Sequence, residues 1–207
     1  DGGFVKTDAD GNQQWSKTYG GTAFSVVQTS DGGYALAGTA VGGFWLVKTD
    51  SSGNQQWAKT YGGTQYDQAS SVVQTSDGGY ALAGYTYMGA AHGEDCWLVK
   101  TDSAGTQQWN KTYGGTSADH AQSVVQTSDG GYALAGTAVG GFWLVKTDSS
   151  GNQQWTKIYG GTEFDVAYSV VQTSDGGYAL AGTTDAYGAG SGDFWLVKTD
   201  VETGLAW

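Results

Sequence analysis

The chain has 207 residues, of which 36 are Gly, none is Pro and 14% are aromatic, a composition too rich in rings for a disordered chain. Seventeen Asp, three Glu, nine Lys and no Arg leave a formal charge of −11, which repels phosphate backbones and argues against nucleic-acid binding and anionic membrane surfaces. No apolar run approaches the roughly 18 residues of a membrane helix, so membrane insertion is not expected. The lone Cys96 excludes an intramolecular disulfide and leaves the redox compartment open.

The chain opens on Phe4–Tyr19, which reads as a two-stranded hairpin, and then repeats itself. The fourteen residues SVVQTSDGGYALAG occur at Ser25–Gly38, Ser71–Gly84, Ser123–Gly136 and Ser169–Gly182, at spacings of 46, 52 and 46 residues. Gly38–Trp57 also recurs unchanged as Gly136–Trp155. Each unit offers four short strands: a (SVVQTS), b (YALAG), c (FWLVKT) and d (QQWxKTYGG). An Asp-Gly-Gly turn joins a to b, and a DSSGN-type turn joins c to d, because glycine supplies positive φ without steric cost. No helical periodicity appears. Strand c is apolar on both faces, with Phe44 and Leu46 one way and Trp45 and Val47 the other, as a sheet packed between two neighbours requires.

Four antiparallel strands at a period of about 40–50 residues predict an all-β fold, a β-propeller of four-stranded antiparallel blades. The sequence divides into units at approximately 1–20 (partial), 21–64, 65–116, 117–162 and 163–207, all in one domain. This gives four full repeats plus the opening hairpin, or about five blade positions, with the last d strand cut short at Trp207. Three arrangements fit that count: a ring with one incomplete blade, two chains pooling their halves as a homo-oligomer, or a piece of a longer array.

The run DxAxSVVQTSDGGYALAG…DFWLVKTD resembles a WD-repeat-type blade. LVKTDxxGNQQW is similar to the repeat of quinoprotein-type (PQQ-like) propellers, in which one blade's tryptophan docks on the next. Similar repeats occur in secreted and surface proteins of bacteria and archaea, so the resemblance implies an extracellular or cell-surface location. It covers the whole chain and speaks to fold more than to function. It brings no cofactor-binding set, and no cofactor is expected.

The a–b and c–d turns are nearly constant and read as scaffold, whereas the b–c and d–a loops at the opposite end carry the variation. TAVGG (Thr39–Gly43, Thr137–Gly141) alternates with eleven-residue loops at Tyr85–Asp95 and Thr183–Asp193. Candidate ligand-binding residues there are Tyr66, Tyr85, Tyr87, His92, Glu94, Asp95, His120, Phe164, Asp185, Tyr187 and Asp193. Asp67, Asp119 and Asp165 recur at one position and read as structural, as do Trp45, Trp97, Trp143 and Trp195 and the d-strand Trp15, Trp57, Trp109 and Trp155. Asp8–Asn12 has the look of the start of a calcium loop, but the later acidic ligand is missing, so a hairpin turn is preferred. A zinc site from His92, Cys96 and a carboxylate is a weak pattern; no P-loop, GxSxG or HExxH occurs. Near-copies of one unit leave little room for an asymmetric catalytic centre, so the expectation is a non-enzymatic module that binds a glycan or protein partner through the variable loops. The alternatives are a surface-layer, stalk or filament module assembling through open edges, and a hydrolase or lyase using Glu94, Asp95 and Asp193.

Overall fold

A computed structural model describes residues 2–63, 66–87, 89, 93–161, 164–188, 190 and 192–200. His92 and the final d-strand residues to Trp207 lie outside this set. The described residues form seventeen strands and no helix. Sheet 1 is the hairpin β1 (Gly2–Thr7) and β2 (Gln13–Tyr19). Sheet 2 is β3 (Thr22–Gln28), β4 (Tyr34–Ala40), β5 (Gly43–Thr49) and β6 (Gln55–Tyr61). Sheet 3 is β7 (Gln68–Gln74), β8 (Tyr80–Tyr87), β9 (Glu94–Thr101) and β10 (Gln107–Tyr113). Sheet 4 is β11 (His120–Gln126), β12 (Tyr132–Ala138), β13 (Gly141–Thr147) and β14 (Gln153–Tyr159). Sheet 5 is β15 (Val166–Gln172), β16 (Tyr178–Thr184) and β17 (Asp193–Lys198). Each is an antiparallel meander in sequence order, and no hydrogen-bonded ladder joins one sheet to another among the described residues.

The repeats do two jobs. Within a sheet, the Asp of the a–b turn folds the turn and then ties it to strand c. In sheet 3, Asp77 accepts from the Gly79 N–H (3.0 Å) and from the Lys100 ammonium (2.8 Å). Lys100 also donates to the Thr101 carbonyl (2.7 Å) and Gln108 (3.0 Å), so a buried cation is fully satisfied. Lys48 and Lys146 repeat the arrangement.

Between sheets, the apolar faces of strand c interdigitate with the next unit. Phe44, Leu46, Ala35 and Ala37 pack against Ala69, Val72, Leu82, Trp97 and Val99, and the same core recurs between sheets 3 and 4 and between sheets 4 and 5. The d-strand tryptophans meet the following sheet edge-on, Trp57 against Tyr80 (5.8 Å, 69°) and Trp109 against Tyr132 (5.7 Å, 70°). The c–d turn glycine of the following sheet leaves room for each of these indoles. At Gly105 (φ +76°), a methyl group would lie 2.8 Å from the Trp57 ring. Tyr61 then donates its hydroxyl to the Gly105 carbonyl at 2.7 Å, locking ring and turn together.

Two details differ from the sequence reading. Strand a begins three residues earlier than SVVQ, because a β-bulge between Ala23 and Ser25, and at the same place in each later unit, admits an extra residue. His120 is therefore the first residue of β11, paired with Thr137, and not part of a loop. The long b–c loop of sheet 3 also contributes to the ladder, Thr86 pairing with Asp95 and Tyr87 with Glu94.

Candidate functional site

The b–c loops are built in two ways. In sheets 2 and 4 the TAVGG segment closes on a two-residue turn, since Ala40 pairs with Gly43 and Ala138 with Gly141. Val41 (φ 52°) and Val139 (φ 51°) occupy the left-handed region in these turns. That conformation is strained for a β-branched residue, and both side chains stand exposed. In sheet 5 the long loop folds on itself: Asp185 accepts from the Gly192 N–H (2.6 Å), Asp193 accepts from the Gly190 N–H (3.1 Å), and Tyr187 leans on Trp195 (5.1 Å).

The d–a aspartates span the junctions. Asp67 donates its N–H to the Gly42 carbonyl, Asp119 to Glu94, and Asp165 to Gly140, each reaching the b–c loop of the preceding sheet. Their carboxylates turn back on the loop, Asp119 accepting from the Gly115 N–H at 2.8 Å and Asp165 from Gly161 at 3.3 Å. The remaining oxygen is served by the unit's own b–c segment in two cases. Thr86 donates to Asp67 (2.6 Å), and the Asp185 N–H donates to Asp165 (3.1 Å). At Asp119 the residue matching Thr86 is Ala138, and Oδ1 is buried with no partner among the described residues. A methyl group on Gly114 would lie 2.6 Å from an oxygen of both Asp119 and Asp95, so two buried carboxyl groups face one point. Burial raises the Asp119 pKa, the Gly115 N–H works against that, and the Asp95 charge adds to the rise.

This junction, between sheets 3 and 4, gathers more distinctive chemistry than the others. His120 stacks on Tyr85 (4.4 Å, 26°) and meets Glu94 through Nε2 at 2.7 Å. The Tyr85 hydroxyl reaches Gln68 at 3.4 Å, and burial, with the Glu94 charge second, raises its pKa. Beside Asp119 opens a cleft of about 370 Å³, lined among others by Thr116, Ser117, Val139, Thr156 and Ile158. Trp143 lies against it with its indole N–H given to Thr156 at 2.7 Å.

Tyr85, Glu94, Asp95 and His120, four of the eleven candidates expected at the variable end, come to one junction in the structure. Asp185, Tyr187 and Asp193 gather instead at sheet 5, while Tyr66 and Phe164 stand exposed on their own loops and Tyr87 ends β8 half-buried. The sequence reading does not single out the cleft residues: Val139 lies in a TAVGG loop shared with sheet 2, and Thr156 and Ile158 lie in a d strand read as constant, although Ile158 stands where the other units have Thr18, Thr60 and Thr112. A β-branched residue directly before the Gly-Gly of TAVGG was the available signal. Cys96 is wholly buried at the position of Phe44, and burial, reinforced by Asp119 and Asp95, drives its thiol pKa far up. Asp8 uses its carboxylate on its own turn, accepting from the Asp10 (3.0 Å) and Asn12 (2.8 Å) N–H groups and from the Asn12 amide.

No protein-family model matches the chain, and no curated protein matches it. Among solved structures it is similar to a protein of unknown function from Bacteroides caccae, with a TM-score of 0.66 and 13% identity over 95% of this chain. The chain spans 64% of the length of that protein, and the likeness is one of fold.

Proposed function

We propose that the chain is a non-enzymatic recognition module of the β-propeller type, which holds an uncharged glycan at the variable end of the junction between sheets 3 and 4. The observation that carries this reading is the cleft beside Asp119. Polar Thr116, Ser117, Gln153, Thr156 and Asp119 line it together with the apolar Val139 and Ile158. A mixed polar and apolar lining suits a ring that is itself hydroxylated at its rim and apolar on its faces. No lysine or arginine lines the cleft, and the chain is strongly acidic, which disfavours sulfated or carboxylated sugars. A non-catalytic role is favoured by the commitment of Asp185 and Asp193 to their own loop and of Glu94 to His120. A glycan ligand fits the extracellular or cell-surface setting that the repeat resemblance implies.

A glycan array followed by calorimetry tests this. Ser117→Tyr, at an exposed loop position on the cleft, should weaken the selected glycan by at least about tenfold, ~1.4 kcal/mol, and leave the melting temperature unchanged. Replacing Tyr85–Asp95 by TAVGG should also abolish binding. An empty array, or a Ser117→Tyr variant that binds like the parent, would remove the glycan reading.

A further inference from the structure

The two short b–c loops end in apolar tips that the folded chain does not use. In each, a β-branched residue takes the first place of a tight turn in the left-handed region, Val41 (φ 52°) before Gly42 (φ 80°) and Val139 (φ 51°) before Gly140 (φ 82°). Asparagine or glycine is what such a turn favours, and valine there is strained. Packing does not offset the strain, since Val41 is 95% and Val139 67% exposed. The d–a loop sets a ring beside each tip. The Asp67 N–H donates to the Gly42 carbonyl (2.9 Å) and the Asp165 N–H to the Gly140 carbonyl (2.7 Å), which brings Tyr66 (83% exposed) and Phe164 (67%) next to the two turns. The same pairing of an aliphatic and an aromatic side chain therefore stands at the junction of sheets 2 and 3 and again at that of sheets 4 and 5.

Charge is divided between the same two ends of the strands. Lys48, Lys100, Lys146 and Lys198 are paired with the a–b turn aspartates at 2.7–2.8 Å. Lys6 reaches Gln14 across the first c–d hairpin (3.0 Å), and Lys17 reaches Asn54 in the next c–d turn (3.4 Å). The stems of Lys59 and Lys111 lie against the c–d turn glycines Gly105 and Gly151, and Lys157 holds the matching place in β14. These are all the lysines of the chain, and arginine is absent. The variable end carries the three d–a aspartates with Glu94, Asp95, Asp185 and Asp193 and, among the described residues, no lysine. The formal charge of −11 is therefore concentrated where the apolar tips stand.

We propose that the two tips dock a cationic segment of a partner protein, one that carries apolar side chains between its lysines or arginines. The tips supply the apolar contact, each with an aromatic ring of the kind interfaces favour. Burying the valines in the complex recovers what their turns cost in the free chain. The acidic end steers a positive partner to this face and repels a negative one. A second copy is a poor occupant, because it brings the same negative end and engages its lysines on its own turns. The docking surface goes beyond the glycan cleft: Val139 borders both, whereas Val41, Tyr66 and Phe164 lie outside the cleft.

Fluorescence anisotropy of the whole chain with short synthetic peptides provides the test. The probe alternates lysine and leucine; the controls, of equal length, alternate glutamate with leucine and lysine with glutamine. The parent should bind the probe, less tightly as salt rises, and should bind each control at least about tenfold more weakly. Val41→Asn combined with Val139→Asn leaves the charge unchanged and suits both turns. The double variant should therefore melt above the parent yet bind the probe at least about tenfold more weakly. A parent that ignores the probe, or binds the lysine–glutamine control as well, overturns the proposal. So does a double variant that binds like the parent or melts below it. Growth of the parent in mass with concentration, lost in the double variant, would overturn it in favour of a second copy. No glycan enters this measurement, and Val41→Asn alone should weaken the probe while leaving glycan affinity unchanged, so either reading can fail without the other.

Discussion

Asp119 and Asp77 show how one residue type serves opposite ends of the same scaffold. At the constant end, burial works against the Asp77 charge, but hydrogen bonds from Lys100, Thr75 and the Gly79 N–H prevail and hold its pKa down to about 2. The unfolded value is near 3.9, so this contribution to stability is complete above about pH 4 and is lost as the pH falls through about 2. At the variable end the sign reverses. Burial and the neighbouring Asp95 raise the Asp119 pKa, so the folded chain holds that proton more tightly than the unfolded one. The stability linked to it is complete below the unfolded value and is lost as the pH rises through the folded one. Asp119→Asn keeps an acceptor for the Gly115 N–H and removes the charge. It should therefore raise the melting temperature relative to the parent at pH 7 and not at pH 3. Equal differences at the two pH values would show that the Asp119 charge costs nothing.

At the scale of the element, the c–d turn and the preceding sheet's tryptophan form a single joint. Gly105 needs its positive φ for the turn and its missing side chain for Trp57, while the equivalent turn glycine of sheet 1, Gly11 (φ +84°), faces open space. Gly11→Ala should cost only the left-handed backbone penalty, about 1–2 kcal/mol. Gly105→Ala should cost that and about 1–3 kcal/mol more for overpacking against the indole. Denaturant unfolding of the two variants isolates the packing share, and equal losses would mean that the Trp57 joint carries no load. Much of this was legible in the repeats: the DSSGN turn, the Trp at a fixed offset and the two-faced strand c all announced sheets packed on sheets. What the repeats did not reveal was the bulge before Ser25, because a bulge shifts which residues pair without altering the residues themselves. The repeats alone therefore put His120 in a loop, whereas the structure makes it a strand residue with a fixed direction.

Across the whole molecule, the stack is a chain of nearest-neighbour junctions, so stability should be graded from the middle outward. Among the described residues, sheets 3 and 4 pack on both faces, whereas sheets 1 and 5 pack on one. In dilute solution, backbone amides of β9 and β13 should exchange at least about tenfold more slowly than those of β1 and β17. Uniform protection along the chain would instead indicate that sheets 1 and 5 meet and close the ring. The same grading places the candidate cleft at the best-supported junction, where a rigid scaffold can hold loop residues in place.

The sequence by itself determined the all-β class, the four-stranded unit and the division between constant and variable ends, because strand periodicity, glycine turns and repetition are local properties. Only the tertiary structure decided which variable residues meet. Tyr85 and Glu94 reach His120 across a junction between sheets, and Asp119 Oδ1 has no partner among the described residues because Ala138 stands where another unit has Thr86. Those outcomes depend on which side chain the neighbouring unit places opposite, and near-identical repeats differ at too few positions for spacing alone to reveal it.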